Sequence, residues 1–286
     1  MAFTYDQMMS YDIPEVEQEI TERDCIIYAL SVGIGEDPMD ERQLAYTYES
    51  NLHMMPTQVN VLAAPGFWLK NEDVGCDWKK VLHGEQRFTI HRPLPTSGTI
   101  VGKSKVVAIN DKGPEKGAFL YSQREVLDKA SGELLCTMEQ TTVARGDGGC
   151  GGSDPAPYAP YKLPDREPDL SCEFSVPDNA ALLYRLNGDY NPLHADPDVA
   201  ATAGFKQPIL HGLCTFGYAG HAVLREACNY EPNKIKSMSV RFTSPVYPGE
   251  PLRTDMWRVD EGLAYRTMAS ARDVQVLGNG LVTLND

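Results

Sequence analysis

The sequence predicts an α+β protein of two similar units in tandem, each an antiparallel sheet wrapped around a long helix. Three observations carry this prediction. A Gly/Pro/Asp-rich stretch interrupts the chain near its middle, short motifs recur across it at a nearly constant offset, and most other apolar runs have the composition of strands.

The chain has 286 residues, enough for one large domain or two smaller ones. Residues 146–170 read GDGGCGGSDPAPYAPYKLPDREPDL, with no hydrophobic period, and form the expected linker. They separate an N-terminal unit, residues 1–145, from a C-terminal unit, residues 171–286.

Both units open with the same signals. RDCIIYALSVG (23–33) and NAALLYRLNG (179–188) each read as a short helix with paired apolar residues, then Tyr-x-Leu, then a glycine suited to a left-handed C-cap. RFTIHRPLPTSG (87–98) and RFTSPVYPG (241–249) each read as a strand running into a Pro/Gly turn. Tyr28 and Tyr184 lie 156 residues apart, and Phe88 and Phe242 lie 154 apart. Two agreeing offsets favour a tandem duplication.

The remaining elements follow. TIVGKSKVVAIND (99–111), AFLYSQREVLD (118–128) and LLCTMEQTTVA (134–144) are rich in Val, Ile, Thr and Tyr and read as consecutive strands. KSMSVRFTSPV, LRTDMWRVD, LAYRTMASARD and VLGNGLVTLND do the same after residue 235. Before them, Gly212 to Cys228 places Leu213, Phe216, Val223, Leu224 and Ala227 at helical spacing. Gly217, Ala219, Gly220 and Ala222 leave this helix little side-chain bulk, as suits a helix held close to a curved sheet. A long helix wrapped by an antiparallel sheet is the hot-dog fold, so the expectation is a double hot-dog.

Composition narrows the function. The formal net charge of −14 argues against a nucleic-acid partner, which needs a basic face. No apolar stretch has the length of a bilayer span, so no membrane association is expected. Residues 1–20 lack the basic and apolar regions of a signal peptide, and the last residues are not a Ser-Lys-Leu tripeptide. The expected location is therefore cytoplasmic. Seven cysteines, an odd number without CxxC spacing, read as reduced thiols rather than disulfides or a zinc ribbon.

The chemistry concentrates in NGDYNPLHADP, residues 187–197. Asp196-Pro197 marks the start of a helix, leaving Asp189, Asn191 and His194 on a turn pinned by Gly188 and Pro192. A carboxylate and an imidazole converging on one water suit proton transfer, and the Asn191 amide can orient a water or a substrate group. Three other readings stay open: a generic turn, a histidine satisfied by backbone in the core, and a metal site. The last is disfavoured because no second His or Cys stands nearby at ligand spacing. Downstream, the long helix begins at Gly212, whose backbone N–H can approach a ligand and stabilise a carbonyl gaining negative charge. An acid–base pair with an oxyanion donor is a kit for adding or removing water beside a carbonyl.

Tyr184 to Ala219, YRLNGDYNPLHADPDVAATAGFKQPILHGLCTFGYA, closely resembles the signature of the MaoC-like, hydratase 2 family of (R)-specific enoyl-CoA hydratases. TERDCIIYALSVG, VLHGEQRFTIHRPLPTSG, INDKG and VRFTSPVYPGEPLRTDMW resemble the double hot-dog form, known as the hydratase part of the peroxisomal multifunctional enzyme of fatty-acid β-oxidation. The resemblance implies reversible syn hydration of trans-2-enoyl-CoA to (R)-3-hydroxyacyl-CoA, with no metal and no cofactor beyond the coenzyme A of the substrate. It implies that Asp189 and His194 are the catalytic pair, that Asn191 orients, and that the Gly212 N–H holds the thioester oxygen. It also places His83, Gly84, Lys112 and Phe242 at the acyl-CoA, matches Glu49 to a family glutamate, and makes a homodimer the expected assembly. After Gly33 the first unit reads IGEDPMDERQ, without Asp-x-Asn-Pro-x-His, so one active site per chain is expected. The alternatives are a dehydratase of a specialised acyl thioester, a hot-dog thioesterase, and a non-catalytic acyl-CoA-binding protein.

Overall fold

A computed structural model describes residues 3–285. The first unit comprises α1 (Tyr5–Met9), β1 (Val16–Ile20), α2 (Glu22–Ser31), α3 (Glu41–Thr47), a 3-10 helix at Pro56–Val61, and strands β2 (Val81–Ile90), β3 (Gly98–Asp111), β4 (Ala118–Asp128) and β5 (Leu134–Ala144). The second comprises β6 (Leu170–Phe174), α4 (Ala180–Tyr184), a 3-10 turn at Pro192–His194, α5 (Pro197–Thr202), α6 (Gly212–Ala227), and strands β7 (Ile235–Phe242), β8 (Leu252–Val259), β9 (Gly262–Ala269) and β10 (Val274–Leu284).

All ten strands form one antiparallel sheet, in the order β1-β3-β4-β5-β2-β7-β10-β9-β8-β6. Exchanging each strand for its counterpart in the other unit reverses this order onto itself. The symmetry closes at the β2–β7 ladder, where Gln86 pairs with Val240. These residues are 154 apart, the offset that separates Phe88 from Phe242, so the pseudo-twofold axis passes between them. The repeated tyrosines also meet: the Tyr28 and Tyr184 rings are 5.9 Å apart, edge to face.

The local signals behave as their chemistry requires. Gly33 and Gly188 adopt φ of +82° and +110°, ending α2 and the turn after α4 in the left-handed region that favours glycine. Asp40 caps α3 and Asp196 caps α5, again 156 residues apart. Residues 146–169 contain no strand and are tied to the sheet. Asp154 accepts from the Ile109 N–H at 3.0 Å, and Asn279 donates to the Tyr161 carbonyl at 2.7 Å. All seven cysteines are free, and burial pushes thiols such as Cys25, Cys136 and Cys172 up to about 12. No helix among the described residues is long and apolar enough to cross a membrane.

The expectation of a long central helix in each unit does not hold. A long helix fills only the second unit. The position 156 residues before Gly212 begins the short 3-10 helix Pro56–Val61 instead. A β-branched and amide-rich sequence, PTQVNV, together with the following Leu62, whose backbone is extended, stops the helix after two turns. α6 packs directly on it, where a Cβ at Gly220 would collide with Thr57, and on the end of α2, where one at Gly217 would collide with Val32. One apolar core therefore spans both units, with Phe88 and Phe216 rings 5.9 Å apart near its centre.

Gly217→Ala and Gly220→Ala test this packing through the sign of their effect. In a free helix each change stabilises by about 0.5–1 kcal/mol, whereas overpacking costs about 1–3 kcal/mol. Urea unfolding should show destabilisation for both variants.

Candidate active site

The loop between α4 and α5 is shaped by its own polar groups. Asp189 Oδ1 accepts from the Asn191 N–H at 3.2 Å, and Asn191 Oδ1 accepts from the Leu193 N–H at 3.1 Å. Asn191 therefore caps the Pro192–His194 turn and keeps only its Nδ2 free to donate outward. With Pro192 and Pro197 fixing the backbone at two further points, the loop holds His194 inward and nearly buried.

His194 Nδ1 lies 2.8 Å from the Ile209 carbonyl oxygen. A carbonyl only accepts, so Nδ1 carries the proton and Nε2 of the neutral ring presents a lone pair. Burial pushes the imidazole below its usual value, and the nearby Asp189 carboxylate opposes that only in part. His194 is therefore a neutral base that can return its proton, with a carboxylate beside it.

The fold adds a third member. His211, the residue before α6, stacks on His194 with ring centroids 3.7 Å apart and donates from Nε2 to the Asp189 carbonyl at 3.2 Å. One ligand atom each from Asp189, His194 and His211 lies within 4.8 Å of the others. The absence of a nearby second histidine, which counted against a metal in the sequence, thus does not hold in space. The stacking still opposes metal binding. Rings inclined by only 28° aim their in-plane lone pairs side by side rather than at one centre. The signal for His211 was present as the His of HGL before the long helix, but spacing along the chain does not reveal a stack.

Gly212 opens α6, where the first N–H groups have no acceptor within the helix. A Cβ there would lie 3.1 Å from the Phe242 ring, so glycine lets that ring lie against the helix start. His83 meets Phe242 edge to face at 4.6 Å, and its imidazole feels the Asp189 carboxylate. Gly84 occupies a bulge in β2, where a Cβ would stand 3.0 Å from Val143. The structure thus brings Asp189, His194, His211, Gly212, Phe242 and His83 into one cluster. Lys112 lies elsewhere, exposed on the β3–β4 turn, with three strand spacings, about 14 Å, separating β3 from β2. Glu49 lies on an exposed turn after α3. The counterpart loop between Gly33 and Asp40 carries Glu36 and Asp37 but no histidine.

Residues 161–279 match the MaoC like domain, and residues 18–146 match the MFE-2 hydratase 2 N-terminal domain. An Arabidopsis thaliana protein named enoyl-CoA hydratase 2, peroxisomal, is 37% identical over 96% of this chain and 94% of its own length. The chain belongs to the MaoC-like hydratase 2 family. A second member, the Mycobacterium tuberculosis 3-hydroxyacyl-thioester dehydratase Y, is 40% identical over 89% of this chain and 88% of its own. Among solved members, a MaoC-like dehydratase from Phytophthora capsici superposes with a TM-score of 0.87 at 32% identity, covering 98% of both chains. A structure from Mycobacterium tuberculosis described as a double hotdog fold, at 17% identity and a TM-score of 0.57, supports the fold assignment.

The buried histidines predict an acid-sensitive fold. Burial pushes His83, His211 and His221 down to about 4, against about 6.5 in an unfolded chain. Between these values the unfolded chain holds more protons, so the stabilisation is complete above 6.5 and is lost as pH falls toward 4. The urea midpoint should drop across this window, and His83→Gln should make the slope shallower.

Proposed function

We propose that this chain hydrates trans-2-enoyl-CoA reversibly to (R)-3-hydroxyacyl-CoA at one site per chain. The observation that carries the reading is the convergence of the Asp189 carboxylate, the free Nε2 of a neutral His194 and the start of α6 within one cluster. Water sits between Asp189 and His194. Its oxygen bonds C3 of the enoyl group, and a proton passes to C2. The negative charge that gathers on the thioester oxygen meets the Gly212 N–H and the positive end of α6. His211 holds Asp189 by its carbonyl and His194 by its face, and so positions both. No step calls for a metal, a redox cofactor or a covalent intermediate. Asn191 Nδ2 orients the water, while His83, Phe242 and Gly84 receive the acyl thioester. Lys112, exposed on the β3–β4 turn, suits the phosphates of coenzyme A.

The names of the relatives support the substrate class, since they pair enoyl-CoA with 3-hydroxyacyl thioesters. They also support a second reading with the same residues, dehydration of a more specialised acyl thioester. The proposed location is the cytoplasm, although the Arabidopsis relative carries a peroxisomal name. The proposed assembly is a homodimer. Leu30, Leu182, Leu186 and Tyr190 are each 45–58% exposed on the paired helices α2 and α4 and the turn after α4, the kind of apolar surface that a second copy covers.

Asp189→Asn and His194→Ala should each lower crotonyl-CoA hydration by about 10²-fold or more, with unchanged circular dichroism. The assay is loss of absorbance at the enoyl thioester band. Wild-type turnover in both variants contradicts the mechanism, and two equivalents of bound acyl-CoA per chain contradict the single site. Thiol release detected with Ellman's reagent indicates a thioesterase instead.

A further inference from the structure

A chain of hydrogen bonds runs from the shortened helix of the first unit to the imidazole beside the oxyanion donor. Asn60 Nδ2 donates to the Thr57 carbonyl at 2.9 Å. That carbonyl can only accept, so the amide orientation of Asn60 is settled and its Oδ1 faces Gln86. Gln86 Nε2 therefore donates to Asn60 Oδ1, at 3.0 Å, and Gln86 Oε1 faces His83. The His83 Nε2, 3.0 Å from that oxygen, has to be the donor. Asn60 and Gln86 are each only 4% exposed, so water does not compete for these bonds. Arg124 Nη2 holds the Asn60 carbonyl at 2.7 Å and fixes the far end.

We propose that Asn60 and Gln86 lock His83 as its Nε2–H tautomer, so that Nδ1 offers a lone pair to the amide N–H of the substrate's thioester arm. This rests on the acyl-CoA reading above. The His83 ring stands edge-on to Phe242, and Phe242 lies on Gly212. The acceptor is therefore one aromatic ring away from the donor that holds the thioester oxygen. In an acyl-CoA, the first amide nitrogen is three bonds beyond the thioester sulphur, within reach of that position. The opposite tautomer would point a donor at another donor and repel the arm. Asn60 and Gln86 touch His83 or its partner and not the reacting atoms, so they are positioning residues. The first unit thereby contributes to the second unit's site through the helix it shortened.

The test is imidazole nitrogen NMR on the full chain labelled with ¹⁵N-histidine, with His83→Gln assigning the signal among six histidines. Long-range proton–nitrogen correlations distinguish the two neutral tautomers. In the wild type His83 should be the Nε2–H form. Asn60→Leu should lose that form or mix it with Nδ1–H. It should also raise KM for crotonyl-CoA about fivefold, the size of one neutral hydrogen bond, with kcat within about twofold. A wild-type Nδ1–H signal overturns the proposal even if the leucine variant does not fold, as does an unchanged Nε2–H signal in a folded leucine variant. An unchanged KM overturns the contact with the thioester arm. The NMR result does not depend on turnover, so an inactive wild type would refute the hydratase reading while the tautomer lock stood on its own measurement.

Discussion

The ladder between β2 and β7 is the constraint on which the rest of this protein depends. It joins two five-stranded halves into one sheet, and its register sets Gln86 opposite Val240 on the pseudo-twofold axis. Because side chains alternate across a sheet, a slip of one residue would turn every inward group of β2 outward. Phe88 would leave the core, Gln86 would leave Asn60, and His83 would leave Phe242. The same pairing that closes the core thus also aims the imidazole at the start of α6.

Around that axis the two units have diverged in complementary ways. The second keeps a full central helix, and with it an N-terminus whose first residue follows His211, in ring contact with His194 of the polar loop. The first retains the caps, Gly33 and Asp40, but not the histidine between them. Its central helix has shrunk to Pro56–Val61, onto which α6 packs through Gly220.

The electrostatics of the site follow from burial. The chain carries a net charge of −14, yet four of its six histidines are held below their ordinary pKa because the interior disfavours their charged forms. A neutral His194 with Nδ1–H committed to a carbonyl has one free lone pair in a fixed direction. Stacking against His211 fixes the plane of that ring, and the carbonyl of Asp189 fixes His211 in turn. In the proposed mechanism, proton transfer depends on three residues whose orientation is set by backbone groups rather than by exposed side chains.

The sequence by itself determined the duplication, the strands, the long helix, the caps and the loop with Asp189, Asn191 and His194. All of these rest on local pattern: alternation along a strand, the period of a helix, glycine where φ is positive, and aspartate before proline at a helix start. It did not reveal that the first unit's helix stops early, since PTQVNV is a weak helix former whose fate is decided by the helix packed on it. Nor did it reveal His211, which is 17 residues from His194 along the chain and in ring contact with it in the fold. Asn60 and Gln86 likewise read as unremarkable polar residues, and nothing tied them to His83 until the ladder set the three in line. Only the tertiary structure decides such pairs, because the energy that fixes a buried amide or imidazole comes from partners distant in sequence, brought within about 3 Å by packing.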